Sequence, residues 1–324
     1  MPISQSLLSK QDATTSNAII SHFKASDSFL KLASSEGSAI LQRDNEDATK
    51  LQAGIDLAKS KGVIDPDFVA EAYNEIDVLG KSPKQVASEI IDLAEKDDAE
   101  ENMKKGKVIV LCGLSGTGKG TTVAMLKEIL SNGGTNRQVI SWSNGNIFRS
   151  VTLLAVAWMK QNDPESDSID ITKALTKENI ASFMKMLSFE KINGVWDTKI
   201  TGLGYDTYVS SIQNTTLKTP DVSKNIPTVA QETQGEVILY ASGAIDRMVN
   251  AEDEEIVVLL EGRQQTVDYV RTPYRFILTL SDSSLIGKRR AAQRLMAAAL
   301  EQVQVEDDEE KIAEILELEL EKMI

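Results

Sequence analysis

One cysteine, Cys112, and one histidine in the whole chain leave little room for two kinds of chemistry. A single thiol cannot close an internal disulfide, and one Cys with one His cannot complete the usual four-ligand structural zinc site. Cations are short too: 35 Lys and Arg stand against 49 Asp and Glu, a formal charge of −14. A surface that neutralises nucleic-acid phosphates needs clustered Lys and Arg, so no nucleic-acid partner is expected. No run approaches the ~18 consecutive apolar residues of a membrane span, so no membrane partner is expected. The opening MPISQSLLSKQDATT lacks the basic head and apolar run of a secretory signal, and has too little Arg for an organelle import peptide. The expectation is a soluble, cytoplasmic protein of a reducing compartment.

The apolar content suffices for a core: 41% of the 324 residues are hydrophobic. At about 150 residues per domain there is room for two domains, or for one with an appendage. Residues 1–95 hold no convincing strand and read as a helical N-terminal domain. Apolar residues recur at helical spacing in Ile19, Ile20, Phe23, in Leu51, Ile55, Leu57, Ala58, and in Phe68, Val69, Ala72, Tyr73, Ile76. Asp65-Pro66 looks like an N-cap followed by a first-turn proline, and Ser82-Pro83-Lys84-Gln85 adds a capping-box Gln. The expected role of this all-α region is to pack on the C-terminal domain, with contact to a protein partner as the alternative. Residues 96–106, dense in charge, read as a linker.

From Lys107 the pattern changes. Val108–Leu111 is a short all-apolar run that ends in a Gly-rich turn and precedes the helix-compatible TTVAMLKEIL, which is how a parallel α/β sheet opens. Further strands are expected at Gln138–Trp142, Ile256–Leu260 and Arg275–Leu280, and helices from about Ser283, the last over Glu309–Met323. The most specific signal is Gly113-Leu114-Ser115-Gly116-Thr117-Gly118-Lys119-Gly120-Thr121-Thr122. It fits the phosphate-loop pattern G-x-x-x-x-G-K, with a hydroxyl at Thr121. Glycines let backbone N–H groups turn inward around phosphate oxygens, and the following helix N-terminus adds partial positive charge. Lys119 is placed to reach the β- and γ-phosphates of ATP, and Thr121 to face Mg2+. Cys112 reads as a small buried residue, having no nearby His to activate it.

The GLSGTGKGT form, together with Asn144-Gly145-Asn146-Ile147-Phe148-Arg149, the strand ending Glu261-Gly262-Arg263, the PYRFILTLS segment and the Lys288-Arg289-Arg290 helix, resembles the cytidylate kinases of the P-loop nucleoside monophosphate kinase family over residues 107–294. The resemblance implies a P-loop kinase-like domain over residues 107–324, with a parallel sheet and an acceptor-binding insertion at about 188–234. It implies Mg-ATP-dependent phosphoryl transfer to a small anionic acceptor, CMP or dCMP first. Gly113 and Ser115 through Thr122 would hold ATP, and Thr121 with Glu261 would serve magnesium. Asn144, Gly145, Arg149, Arg263 and Gln264 would bind the acceptor. Lys119, Arg149, Arg263, Arg289 and Arg290, with Arg294 nearby, would carry the catalytic positive charge.

Three departures matter. Gln264 stands where the family has a base-reading Asp. The Arg expected before Thr233 is missing. The family's charged lid motif and last strand are not visible after Arg294. The base-reading positions are therefore altered while the phosphate-gripping ones remain, which leaves open an anionic acceptor other than CMP. The missing lid leaves three expectations: a slow kinase, a lid supplied by the N-terminal helices, or a non-catalytic nucleotide-binding protein whose helical region engages a partner.

Overall fold

The computed structural model describes residues 3–10, 13–98, 106–132, 137–164, 170–251, 255–304 and 306–324. In chain order the elements are α1 (Gln5–Lys10), α2 (Ala13–His22), α3 (Asp27–Ser60), β1 (Asn74–Asp77), α4 (Pro83–Asp98), β2 (Lys107–Gly113), α5 (Lys119–Asn132), β3 (Arg137–Trp142) and α6 (Gly145–Asn162). There follow α7 (Lys177–Lys185), β4 (Leu187–Ile192), β5 (Val195–Gly202), β6 (Tyr205–Tyr208), α8 (Val209–Ile212) and α9 (Pro220–Val249). The chain ends with β7 (Glu255–Glu261), α10 (Gln264–Val267), β8 (Arg275–Thr279), α11 (Ser284–Leu300) and α12 (Glu309–Lys322).

Strands covered on both faces read as continuous apolar runs, and the two strands with the longest such runs take the middle of a parallel sheet. KVIVLCG (β2) and EIVVLLE (β7) are buried throughout except at their ends. The strand order is β1-β8-β2-β7-β3, every pair parallel. Successive side chains point to opposite faces. Ile109 and Leu111 pack with Val86, Ile90, Val123 and Leu126 of α4 and α5. Val108, Val110 and Cys112 pack on the other side with α6 and α9. The result is a mixed α/β fold with helices on both faces of a five-stranded parallel sheet. From β2 the chain goes to β3 on one flank, and from β7 it passes to β8 on the other. The C-terminal ends of β2 and β7 therefore adjoin where the order reverses, which is where open α/β sheets form their ligand crevice.

The four strands expected from residue 107 onward are present. The reading of residues 1–95 as wholly helical is corrected: Asn74–Asp77 is a strand, pairing parallel with Phe276–Thr279. Asp65-Pro66 starts no helix. The Asp65 carboxylate accepts from the Asp67 N–H at 2.9 Å and the chain turns there. The segment beyond, without regular structure up to Asn74, is tied down by Arg275, a fully buried cation on β8. Arg275 donates to the Glu71 carboxylate at 3.1 Å and to the Tyr73 hydroxyl at 3.1 Å. A buried guanidinium must be paired, and that requirement overrides the helical spacing of Phe68 to Ile76. The sheet's fifth strand thus comes from ahead of the glycine-rich loop after β2 rather than from beyond Arg294. The capping box before α4 forms as expected: the Ser82 N–H donates to Gln85 Oε1 (2.8 Å) and the Gln85 N–H to Ser82 Oγ (3.3 Å). Of the expected linker, residues 96–98 end α4 and residues 99–105 lie outside the described residues.

Two helices from opposite ends of the chain cross at close range. Gly37 of α3 lies against Gly287 of α11, and a Cβ on Gly287 would overlap the Ala33 carbonyl. At the expected insertion, from Leu187 to Tyr208, the chain forms the antiparallel sheet β4-β5-β6. Its first turn, Asn193-Gly194, has both residues at positive φ (50° and 82°), the geometry of a tight two-residue hairpin. No helix among the described residues is long and apolar enough to cross a membrane.

Candidate functional site

The loop between β2 and α5 needs its glycines. Gly113, Gly116 and Gly118 have φ of 145°, 82° and 90°, conformations that L side chains rarely adopt. A Cβ on Gly113 would also lie 2.5 Å from the Leu278 carbonyl oxygen. The loop closes on itself: Thr117 Oγ1 donates to the Leu114 carbonyl (2.8 Å), and Lys119 Nζ donates to the carbonyls of Gly113 and Leu114, both at 2.9 Å. Burial, and secondarily the nearby Arg263, lowers the Lys119 pKa. Cys112, fully buried beneath, has its thiol pushed up to about 11 by desolvation, which leaves it inert as a nucleophile.

On one flank of the loop lies a cavity of about 480 Å³ lined by Thr117, Gly118, Thr121 and Thr122, by Lys81, Ser82, Pro83, Gln85 and Val86 around the start of α4, and by Leu285 and Arg289 of α11. Arg289 is only 6% exposed. Its Nη1 donates to the Gly116 carbonyl at 3.0 Å, while its Nε is buried without a partner. No carboxylate among the described residues pairs with it, and burial alone lowers its pKa. A buried cation with no counter-charge is costly, and it marks a place where an anion is missing from the protein itself.

The other flank is filled. Arg263, just after β7, donates from Nη2 to Asp44 Oδ1 at 2.7 Å and lies 3.4 Å from Asp47 Oδ2. Asp44 is only 3% exposed and also reaches the loop. Its Oδ2 accepts the Ser115 N–H and its Oδ1 the Ser115 hydroxyl, both at 2.8 Å. Burial raises its pKa, but the bonds from Arg263 and Ser115 outweigh that and hold the carboxyl well below the usual carboxylate range. Glu261 ends β7 beside the first turn of α5, its Oε2 4.0 Å from where a Cβ on Gly120 would stand.

Beyond the C-terminal end of β3, Trp142 Nε1 donates to Asn144 Oδ1 at 2.9 Å. Arg149 makes a long 3.5 Å contact to Asn146 Oδ1 and no ion pair among the described residues. Next to them a cavity of about 200 Å³ opens between Trp142, Asn146, Phe189, Trp196, Asp197 and Ser210. Phe189 and Trp196 stack at 5.3 Å between ring centroids, with Trp142 edge-on to Phe189. Such a wall suits a planar group, with Asn146 and Ser210 to orient it.

The structure gathers the loop residues, Glu261, Arg263 and Arg289 at the crevice, with Arg149 at the next strand end. It draws others away. Arg290 and Arg294 pair with Glu36 of α3. Gln264 faces a separate polar cavity with Gln52, Lys59, Phe68 and Tyr269. Asp44 gives no sign of itself in the sequence: within QRDNEDATK it looks like one of several acids on a solvated helix face, and its partners lie 71 and 219 residues away.

The residues fit a polyphosphate: Thr117, Gly118, Thr121 and the unpaired Arg289 line one cavity, and Lys119 stands at the start of α5 beside it. They hold no metal alone: no group of three or more His, Cys, Asp or Glu among the described residues is placed for it. Magnesium needs only one or two protein oxygens beside phosphate oxygens and water, so Thr121 and Glu261 suffice if a nucleotide supplies the rest. No family model matches the chain, nor does any curated protein or solved structure.

Proposed function

We propose that the protein binds Mg-ATP at the loop after β2 and transfers its terminal phosphoryl group to a small anionic acceptor. The observation that carries this reading is Arg289: buried, without a carboxylate, its Nε unsatisfied, on the wall of a cavity that opens onto a glycine loop and a helix N-terminus. A polyphosphate in that cavity satisfies all three at once. In this reading Lys119 leaves the Gly113 and Leu114 carbonyls for phosphate oxygens, and Arg289 neutralises charge along the chain. The nucleoside lies against Val78, Pro83, Val86 and Leu285. Thr121 and Glu261 would hold magnesium, which when bound would supply positive charge beside the phosphate oxygens. Arg149 grips the acceptor's anion, while the aromatic cavity beside it receives the acceptor's body, with CMP or dCMP first by resemblance. Positioning and charge are the whole of the protein's contribution to such a transfer, so no nucleophilic side chain is required.

A second reading, nucleotide binding without transfer, draws on the pairing of Arg263, Arg290 and Arg294 with acids of α3. ADP release from Mg-ATP separates the two, measured with CMP, dCMP, UMP, AMP and phosphorylated or carboxylated metabolites as acceptors. Acceptor-dependent turnover that falls about 100-fold or more in Lys119→Ala supports transfer. ATP binding without acceptor-dependent ADP supports the second reading. Absence of ATP binding removes both.

A further inference from the structure

We propose that α3 carries a built-in competitor for the phosphate site: the Asp44 carboxylate occupies a seat that a phosphoryl group must take, and the resting protein is autoinhibited by it. This rests on the phosphate-binding reading of the loop. The seat consists of the Ser115 N–H (2.8 Å), the Ser115 hydroxyl (2.8 Å) and the Arg263 guanidinium (2.7 Å), all given to one buried carboxylate. These are the donor types that hold phosphoryl oxygens at a glycine loop: a backbone amide, a hydroxyl and a forked cation. A carboxylate satisfies them in the same way, so an incoming anion meets an occupied seat and a like charge.

The competitor belongs to a longer acidic edge. On the same helix Glu36 pairs with Arg290 and Arg294, Asp44 with Arg263, and Asp47 with Arg263. One helix thus pairs with three arginines, Arg263 at the crevice and Arg290 and Arg294 away from it, while Arg149 and Arg289 pair with no acid among the described residues. The contact is held from behind. Gly37 is locked against Gly287, and Gly54 lies against the Gln231 carbonyl of α9, a Cβ there falling at 3.1 Å. With α3 fixed on both sides of Asp44, the part that moves is the glycine loop. Phosphate draws Lys119 Nζ off the Gly113 and Leu114 carbonyls, the loop opens, and Ser115 leaves Asp44 in the same motion. Arg43, 55% exposed and 3.7 Å from Asp44 Oδ1, stands ready to take over the released carboxylate.

The test uses the full chain with two uncharged replacements, Asp44→Asn and Asp44→Ser, and two probes, inorganic tripolyphosphate and Mg-ATP, titrated calorimetrically. If the seat is open in about a tenth of wild-type molecules, both probes bind about tenfold more tightly to the variants. Equal or weaker binding by the folded variants overturns the proposal. Lys119→Ala separates the two layers. If it abolishes binding while the Asp44 variants match wild type, the phosphate site stands and the competitor falls. If neither probe binds any of the proteins, the phosphate site falls and takes the competitor with it. The wild-type chain supplies a second reading should both variants unfold: tripolyphosphate shifts the Asp44 carboxyl carbon resonance if the side chain is displaced. An unmoved resonance in the saturated protein overturns the proposal.

Discussion

The two flanks of the glycine loop are opposites built from the same residue type. On the α11 side, Arg289 is buried without a counter-charge beside an open cavity. On the α3 side, Arg263 is tied to two acids and the space is closed. The first arrangement costs the fold stability and keeps a place for an anion. The second satisfies the fold and withholds the place. Perturbed charge alone therefore does not identify a binding residue. What separates Arg289 from Arg263 is whether the protein has already supplied the partner.

Substitution can break this contrast. Arg263→Leu removes the main partner of a buried carboxylate and should cost about 3–5 kcal/mol of unfolding free energy in urea melts at neutral pH. Arg289→Leu should have the opposite sign. Replacing an uncompensated buried cation with an apolar group of similar size should stabilise the free protein by about 1 kcal/mol or more, while weakening tripolyphosphate binding. Equal signs for the two variants would erase the distinction between the flanks. The smallest effect, Asp44→Asn, keeps one accepting oxygen with neutral bonds and puts an NH2 where the other oxygen accepted, a loss of about 1 kcal/mol at pH 7. Because the folded carboxyl sits below its ordinary value of 3.8, its contribution is present above that pH and fades as pH falls below it. Urea melts at pH 7, 5 and 3 should show the wild-type advantage over Asp44→Asn shrinking between pH 5 and 3. A gap that stays constant would mean the carboxylate is not the source.

The contrast between legible and hidden parts follows the reach of each interaction. Strands β2, β7 and β8 announce themselves as apolar runs because both faces are covered, and the loop glycines are legible because Gly113, Gly116 and Gly118 adopt positive φ, a local demand. The Asn193-Gly194 hairpin carries an equally local sign, a turn pair between LSFEKI and VWDTKITG, although the resemblance to a kinase insertion says nothing of it. Strand β1 has no such sign. NEID is four residues long with one buried side chain, and it is a strand because Arg275, some two hundred residues later, needs Glu71 and Tyr73 beside it. Asp44 is hidden for the same reason. Its helix is ordinary, and only the tertiary approach of α3 to the loop gives its carboxylate a role. The pairing of Arg290 and Arg294 with Glu36 is equally out of reach when basic residues on a helix are taken one face at a time.

The placement of β1 ahead of the loop also bears on how the molecule is made. On the ribosome the first 98 residues emerge with no sheet to join, since Asn74 pairs with Phe276 and α3 packs on α11. Closing contacts of such sequence separation is slow, and the 34-residue helix α3 meets its main partners only when α9 and then α11 have been made. The edge strand and the acidic helix are therefore the last pieces to be clamped, so the crevice is complete only after synthesis has reached α11. The same layout makes the chain a natural two-piece protein. Residues 1–98 and 106–324, produced separately, share a sheet edge, a helix crossing and a buried arginine network, the ingredients by which two fragments find each other without a peptide bond.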